Sequence, residues 1–242
     1  MKRLPTPFLV PTHGASWVWD HVRPLLRFPS LAVDLPGHGA KPGDLNSLSY
    51  ADCVKSIQEE LPDQGRFILV GHSLGATVVL ALAESLPARI AHLVIIAGPV
   101  PRPGRSITDS FPLLIRVASR VVLRSSDPTF PPSPRLAART MLNGLDRRVV
   151  QETCARLTAE SRFLVLEPLR WSGRPSVPCT YIRCLRDRSA LSPRHQERMA
   201  RNLGAQVQMF SLGTCHYPML ERPEDIAALL NRVGDAVIVN FA

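Results

Sequence analysis

The sequence predicts an α/β fold, a mostly parallel, doubly wound sheet of about six strands with an inserted helical lid. Three observations predict it. Short apolar, partly β-branched runs alternate with Ala- and Leu-rich segments, as parallel strands alternate with their crossover helices. A tight Gly-x-Ser-x-Gly turn joins one such strand to the helix after it. Roughly eighty residues separate two of the later strands, which is too long for a simple crossover.

The predicted elements follow one another along most of the chain. Apolar runs predict strands at 7–11, 30–35, 66–70, 92–97, 179–185 and 206–211. The periodicity of the intervening segments predicts helices at 17–27, 49–61, 74–86, 193–203 and 223–233. Residues 235–242 are apolar and β-branched, and the sequence alone assigns them to no element.

The long insertion is predicted to form a helical lid of residues 99–170, over a core made of residues 1–98 and 171–242. A linker rich in Pro, Gly and Arg opens it, and helical segments are predicted at 109–124, 133–143 and 146–160. Its apolar positions either line an acyl pocket or pack onto the core, and the sequence leaves both open.

Composition excludes several classes of protein. The 242 residues are 45% apolar and 20% charged, which fits a single globular domain. The net charge of +9 is nearly all arginine, yet no nucleic-acid motif accompanies it and only 6% of residues are aromatic. No run suits a membrane span or a secretory signal, and the five scattered cysteines show no metal spacing. We therefore expect a cytoplasmic protein without metal, cofactor, nucleic acid or membrane partner.

The run Gly71-His72-Ser73-Leu74-Gly75 is the most informative feature of the chain. A predicted buried strand precedes it and a predicted helix follows it, which is the context that a nucleophile elbow requires. A Cβ atom at position 71 or 75 would collide with the neighbouring strand or helix. Ser73 is therefore the predicted nucleophile.

Asp187 and His216 follow Ser73 in the chain order expected of this architecture. Each lies just past the end of a predicted strand. A serine hydroxyl needs an imidazole to take its proton and a carboxylate to orient that imidazole. The alternatives are that His216 is an ordinary loop histidine and that Asp187 is a surface acid paired with a neighbouring arginine.

An oxyanion hole is predicted from the backbone N–H groups of Ala15 and Leu74. One donor follows the first strand, and the other belongs to the residue after the nucleophile. Gly14 would let the backbone approach the substrate.

The first helix of the predicted lid carries Arg116, Arg120 and Arg124 at four-residue intervals, which places them on one face. Beside them runs an apolar stripe, Leu113, Val117 and Val121. One interpretation is the solvated face of an amphipathic helix. The other is a docking surface for an acidic substrate or an anionic carrier, such as a phosphopantetheine-bearing protein.

These motifs together resemble the α/β-hydrolase superfamily and, within it, the hydroxynitrile lyase and plant methylesterase-like branch with its bacterial relatives. The matching segments are 13–15 with Trp17 and Trp19, 71–75, 184–188 and 215–223. The resemblance implies the α/β-hydrolase fold, with Ser73 as nucleophile, Asp187 as acid and His216 as base.

Two positions depart from the hydroxynitrile lyases, which carry lysine where this chain has Tyr217 and threonine where it has Gly14. Both departures favour ester hydrolysis over cyanohydrin cleavage. Gly14, Tyr217, Trp17 and His72 are expected to contact the substrate.

The leading hypothesis is therefore a serine hydrolase that cleaves a small acyl substrate, a carboxylic ester, thioester or lactone, through an acyl-enzyme. One rival is a biosynthetic cyclase or lyase that uses the same triad for acid–base chemistry, because one fold hosts many reactions. The other rival is a ligand-sensing protein on a hydrolase scaffold.

Overall fold

A computed structural model describes residues 6–7, 15–125, 129–130 and 133–241 of the chain. Only the backbone is described at 6–7, 125, 129–130 and 240–241. The predicted α/β architecture is confirmed, with one parallel sheet between two helical layers. Within the described ranges, no helix is both long and apolar enough to cross a bilayer.

The main sheet contains five strands among the described residues: β1 Thr6–Pro7, β2 Phe67–His72, β3 Ile90–Ile96, β6 Cys179–Cys184 and β7 Gln208–Leu212. Two further strands, β4 Thr129–Phe130 and β5 Glu160–Ser161, form a separate antiparallel pair within the insertion. The sheet order is β1-β2-β3-β6-β7, and each neighbouring pair is parallel. The carboxyl ends of these strands therefore meet at one edge, where sites of this architecture lie.

The helices in chain order are α1 Tyr50–Gln58, α2 Gly75–Ser85, α3 Leu113–Ser125, α4 Pro134–Thr140, α5 Arg147–Arg156, α6 Arg162–Leu166, α7 Pro193–Arg201, α8 Pro218–Glu221 and α9 Pro223–Phe241. Local chemistry sets several of their starts. Ser49 and Asp52 form a reciprocal capping box at α1, and α4, α7 and α8 begin at a proline, whose fixed φ suits the first turn.

Two hydrophobic cores cover opposite faces of the sheet. Alternate residues of β2 divide between them: Phe67 and Leu69 join the core with α1, α2 and α7, whereas Ile68 and Val70 join the core with α9. Successive side chains of a strand point to opposite faces, so a sheet buried on both sides needs continuous apolar strands. The apolar runs that predicted β2 and β3 have this cause.

The strand predicted at 30–35 is wrong, since residues 29–35 form no ladder with any part of the chain that the structure describes. Val33 and Leu35 are nevertheless buried, which explains the apolar run that suggested a strand. The strand predicted at 7–11 lies outside the described residues apart from Pro7, which ends β1.

The helix predicted at 17–27 is also wrong as one element. Two short 3₁₀ turns, Ser16–Trp19 and Arg23–Leu25, take its place. Pro24 lies in the second turn, and a proline removes a donor and clashes with the preceding helical turn. At the other end of the chain, α9 continues to Phe241, so most of the unassigned tail is helical.

The insertion is helical, as predicted, in α3, α4, α5 and α6. Pro112 precedes α3, and the helix begins at Leu113 rather than at residue 109. The β4–β5 pair had no counterpart in the prediction because it joins residues about thirty positions apart. The division at residues 99 and 170 stays a prediction.

Candidate active site

Ser73 lies directly after β2, at the turn into α2, with a left-handed backbone (φ 50°). That region is strained for a residue with a Cβ atom, so the surroundings must hold it. The Ser73 N–H donates to the Ile96 carbonyl over 3.1 Å, and the Ser73 carbonyl accepts from the Ala76 N–H over 3.0 Å. The turn is thus fixed by strand β3 on one side and helix α2 on the other.

Gly71 makes this turn sterically feasible. A Cβ atom there would lie 2.7 Å from the Ala76 Cα, the Gly75 carbonyl oxygen and a Val79 methyl group. Real Cβ atoms do not approach backbone that closely, so α2 packs against β2 only because position 71 has no side chain.

The structure brings Ser73, His216 and Asp187 into one chain of hydrogen bonds. The His216 Nε2 atom lies 2.9 Å from the Ser73 Oγ atom, and the His216 Nδ1 atom lies 2.6 Å from the Asp187 Oδ2 atom. Exposures of 8%, 2% and 3% for Ser73, His216 and Asp187 take this chain largely out of water, which strengthens its electrostatic interactions.

These contacts fix the tautomer of His216. A carboxylate with a depressed pKa only accepts, so the Nδ1 atom must carry the proton that faces Asp187. The Nε2 lone pair of a neutral ring is then free to accept from the Ser73 hydroxyl. This is the protonation pattern of a base beside a nucleophile.

Asp187 is held ionised and in one orientation. Its Oδ2 atom also accepts from Gln196 Nε2 over 2.7 Å, and its Oδ1 atom accepts from the Ser189 N–H over 2.8 Å. Burial raises the pKa of Asp187, but the charge of His216 and hydrogen bonds from His216 and Ser189 outweigh it and leave the pKa below 3.8.

Sequence reasoning missed Gln196, which is fully buried on α7. Its Nε2 atom also donates to the Leu191 carbonyl, and its Oε1 atom accepts from the Cys184 N–H. Helical periodicity is the sequence signal that could have identified it, because Gln196 shares the buried face of α7 with Met199 and Ala200.

The insertion also helps to build the site. The His216 N–H donates to the Met141 carbonyl over 3.1 Å, just after α4. Asn143 Nδ2 donates to the Arg186 carbonyl over 2.9 Å, beside Asp187. Arg186 in turn forms an ion pair with Glu221. The loops that carry the acid and the base are therefore tied to the same short segment.

The two predicted oxyanion donors, Leu74 and Ala15, differ in what the structure says about them. No described residue accepts from the Leu74 N–H, which stands at the start of α2 next to Ser73. Ala15 is fully buried and adopts φ 86° and ψ 169°, a strained backbone for a residue other than glycine. Gly14, the predicted point of close approach, lies outside the described residues.

Of the other residues predicted to contact the substrate, His72 and Tyr217 pack against His216. His72 Nε2 donates to the His216 carbonyl over 2.6 Å, and the two rings are 4.8 Å apart. The Tyr217 ring lies 5.5 Å from that of His216, and both His72 and Tyr217 are fully buried. Trp17 is half-buried, with the Arg156 guanidinium 4.1 Å above its ring.

The three arginines of α3 are not equivalent. Arg120 Nη2 forms an ion pair with Asp109 over 2.9 Å, Arg116 is half-buried, and Arg124 is exposed. The same helix also exposes six apolar side chains, with exposed fractions of 46–84%: Leu113, Leu114, Ile115, Val117, Val121 and Val122. Arg120 is thus engaged by Asp109, and both interpretations of this face, a solvated helix face or a docking surface, stay predictions.

Metal ligands are not clustered in the described part of the chain, where no group of three or more His, Cys, Asp or Glu side chains could hold an ion. Cys215, next to His216, is a buried free thiol. Burial raises its pKa to about 11, so it stays protonated at neutral pH.

Comparison with known proteins gives consistent similarities. The model of the "Alpha/beta hydrolase family" matches residues 8–229. "Putative methylesterase 11, chloroplastic" from Arabidopsis thaliana is 27% identical over 96% of this chain, which spans 65% of that protein's length. "Pimeloyl-[acyl-carrier protein] methyl ester esterase" from Nitrosomonas europaea is 42% identical over 38% of this chain and 37% of its own.

One solved structure is that of an extracellular alpha/beta-hydrolase from a Paenibacillus species, described as sharing structural and functional homology with Tobacco Salicylic Acid Binding Protein 2. It superposes with a TM-score of 0.80 at 20% identity, over 94% of this chain and 98% of the other. At that identity the likeness concerns the fold.

Proposed function

The chain belongs to the alpha/beta hydrolase family, and on that premise we propose that it cleaves a small carboxylic ester, thioester or lactone with Ser73, His216 and Asp187. The observation that carries the proposal is the hydrogen-bond chain from Asp187 through His216 to Ser73, with distances of 2.6 and 2.9 Å. A hydroxyl, a neutral imidazole and an ionised carboxylate in this order form an activated nucleophile.

The reaction proceeds in two halves. Ser73 Oγ attacks the acyl carbon while its proton passes to His216 Nε2, and the imidazolium is stabilised by Asp187. Collapse of the tetrahedral intermediate breaks the bond to the leaving alcohol or thiol, which takes the proton from His216. Water then attacks the acyl-enzyme with His216 as base, and the acid is released as Ser73 regains its proton.

The developing oxyanion needs donors placed beside Ser73. The Leu74 N–H supplies one, since it stands free among the described residues at the N-terminus of α2. Ala15 is assigned the other, and its strained backbone is consistent with a carefully oriented N–H. Removal of one such donor costs about 3–4 kcal/mol of transition-state stabilisation in known hydrolases.

We assign to His72 the role of supporting His216, not that of contacting the substrate. Its Nε2–H group donates to the His216 carbonyl, and the side chain has no exposed surface. Tyr217 is equally enclosed and packs against both histidine rings. Trp17, which is only half-buried, keeps its assignment as a substrate contact.

The substrate is proposed to be a small ester, either free or presented on an acidic carrier. The relatives named as methylesterase and methyl ester esterase favour the ester class. For a carrier, the available cations of the α3 face are Arg116 and Arg124, because Arg120 is engaged with Asp109.

Turnover of p-nitrophenyl butyrate tests the proposal directly. Wild type should release p-nitrophenol over many cycles, and Ser73→Ala should lose at least about 10³-fold in kcat. Ser176→Ala, the same change at an exposed serine, is the matched control and should behave as wild type.

A fluorophosphonate probe removes the dependence on one chosen ester. Attack by Ser73 Oγ forms an oxygen–phosphorus bond and expels fluoride, so labelling reports an activated serine. Wild type and Ser176→Ala should be labelled and Ser73→Ala should not. A folded wild-type protein that remains unlabelled would contradict the triad.

A further inference from the structure

A cavity separate from the triad is lined by arginine side chains. The space is about 510 Å³, opens to solvent, and lies between the segment after β3, the start of α3 and the end of α7. We call it the arginine cavity, because five arginines line it: Arg102, Arg105, Arg116, Arg198 and Arg201. Four of its five arginines are exposed and the fifth is half-buried. None of its lining residues belongs to the triad or to the assigned oxyanion donors. Of its arginines only Arg116 has a role above, in carrier docking, so the proposed function leaves the other four unexplained.

Acidic neighbours neutralise these arginines only in part. Asp109 lines the cavity, but its carboxylate already accepts from Arg120 over 2.9 Å and from Ser106 over 3.0 Å. Glu197 holds Arg201 over 2.8 Å and shares its charge with Arg183. Positive charge therefore predominates in the cavity.

Four of the five guanidinium groups have no hydrogen bond or ion pair with any residue that the structure describes. They are Arg102, Arg105, Arg116 and Arg198. Like charges around one cavity repel one another, and the repulsion is relieved when an anion enters.

The charge of these arginines also lowers the pKa of two neighbouring groups, His195 and Asp109. Burial lowers the pKa of His195 on α7, and the charge of Arg198 lowers it further. At Asp109, burial raises the pKa, but hydrogen bonds from Ser106 and the charges of Arg120 and Arg105 outweigh it.

The ligand class follows from guanidinium chemistry and size. Arginine presents its N–H groups as a planar fork that binds phosphate oxygens in pairs, and it remains charged at any physiological pH. A volume of about 510 Å³ falls within the range of sites for small organic ligands. The geometry points to a binding site for a diphosphate-bearing small molecule in the arginine cavity, independent of the esterase reaction.

Calorimetric titration with pyrophosphate at constant ionic strength tests this site. Wild type should bind one equivalent saturably. The triple variant Arg102→Gln/Arg116→Gln/Arg198→Gln should bind at least about tenfold more weakly, because it loses three charged donors. The matched control, Arg135→Gln/Arg147→Gln/Arg174→Gln, removes the same charge at exposed positions outside the cavity and should stay within about twofold of wild type.

Two further titrations locate the site and identify the source of the diphosphate. Ser73→Ala should bind pyrophosphate as wild type does, since the triad lies outside the cavity. ADP that binds tighter than pyrophosphate supports a nucleotide, whereas equal affinity supports the diphosphate group alone.

Three results would overturn the inference: no saturable binding to wild type, equal weakening in both triple variants, or loss of binding in Ser73→Ala. The single variants Arg102→Gln and Arg198→Gln decide the question if the triple variant does not fold, because each should weaken pyrophosphate binding in a folded protein.

Discussion

Gln196 contributes the side chain that, together with the Ser189 N–H, orients Asp187. It joins the acid to the end of β6 and to Leu191, using both amide hydrogens and its oxygen. Groups that orient a catalytic carboxylate act through position rather than through contact with substrate. Loss of Gln196 should therefore affect the chemical step more than binding.

Gln196→Leu is expected to lower kcat about 10- to 100-fold with little change in KM. The reason is that Asp187 loses one donor and the Cys184 N–H loses its acceptor. Losses of this size follow when a group that hydrogen-bonds a metal ligand is removed from other enzymes. Steady-state kinetics with p-nitrophenyl butyrate measures both parameters. Gln58→Leu, on the exposed face of α1, is the control, and an unchanged kcat in folded Gln196→Leu would refute this positioning role.

Gly71→Ala should disrupt the elbow itself. Its new Cβ atom would meet backbone of α2 at 2.7 Å, so the helix must shift away from β2. We expect a loss of about 1–3 kcal/mol in the free energy of unfolding, together with a large fall in kcat. Gly213→Ala is the matched control, since nothing lies within 4 Å of a Cβ atom there. Urea denaturation should separate the two variants, and equal stabilities would count against the steric argument.

At the scale of elements, apolar runs predicted the buried strands β2, β3 and β6 and the largely exposed strand β7, but they also predicted a strand at 30–35 that does not form. β2 and β3 are apolar throughout because both cores use them. Residues 30–35 carry a similar apolar signal, but strand formation depends on a partner and not on burial alone. Local pattern does not contain that information.

The candidate site, too, could be predicted only in part. The elbow motif and the chain order predicted the three residues that the fold brings within hydrogen-bond distance. The sequence could not indicate Met141 and Asn143, because their hydrogen bonds to the loops of His216 and Asp187 depend on how α4 packs. It placed three arginines on one face of α3 but could not foresee that Asp109 would engage Arg120.

The start of α1 allows a prediction for one element. The Ser49 side chain caps α1 by accepting from the Asp52 N–H, and the Asp52 carboxylate accepts from the Ser49 N–H. Ser49→Ala should cost about 1 kcal/mol in the free energy of unfolding. Ser176→Ala serves again as control, and chemical denaturation is the measurement. Equal midpoints for both variants would show that the box contributes nothing to stability.

At the scale of the whole molecule, a buried charged pair joins the core to the insertion. His38 Nε2 lies 3.1 Å from Glu160 Oε1, and both side chains are almost fully buried. His38 Nδ1 donates to the Pro36 carbonyl over 3.1 Å. With an acceptor at each ring nitrogen, the doubly protonated imidazolium is the form that fits this site.

This pair should make global stability depend on pH. Burial lowers the pKa of His38, but the charge of Glu160 and the hydrogen bonds of His38 to Glu160 and Pro36 outweigh it, so the folded pKa exceeds 6.5. A raised histidine pKa contributes stability that is complete below the unfolded pKa and is lost as pH rises through the folded pKa. Wild type should therefore lose this contribution as pH rises above about 6.5.

His38→Gln separates this effect from other titrations. At pH 6 it should destabilise the protein by roughly 3–5 kcal/mol, the cost of removing one partner of a buried ion pair. The difference from wild type should then shrink as pH rises through the folded pKa of His38. His21→Gln, at an exposed histidine, should leave the wild-type dependence intact. Urea denaturation from pH 5.5 to 9 measures all three proteins, and a difference that stays constant with pH would mean that His38 is neutral in the folded state.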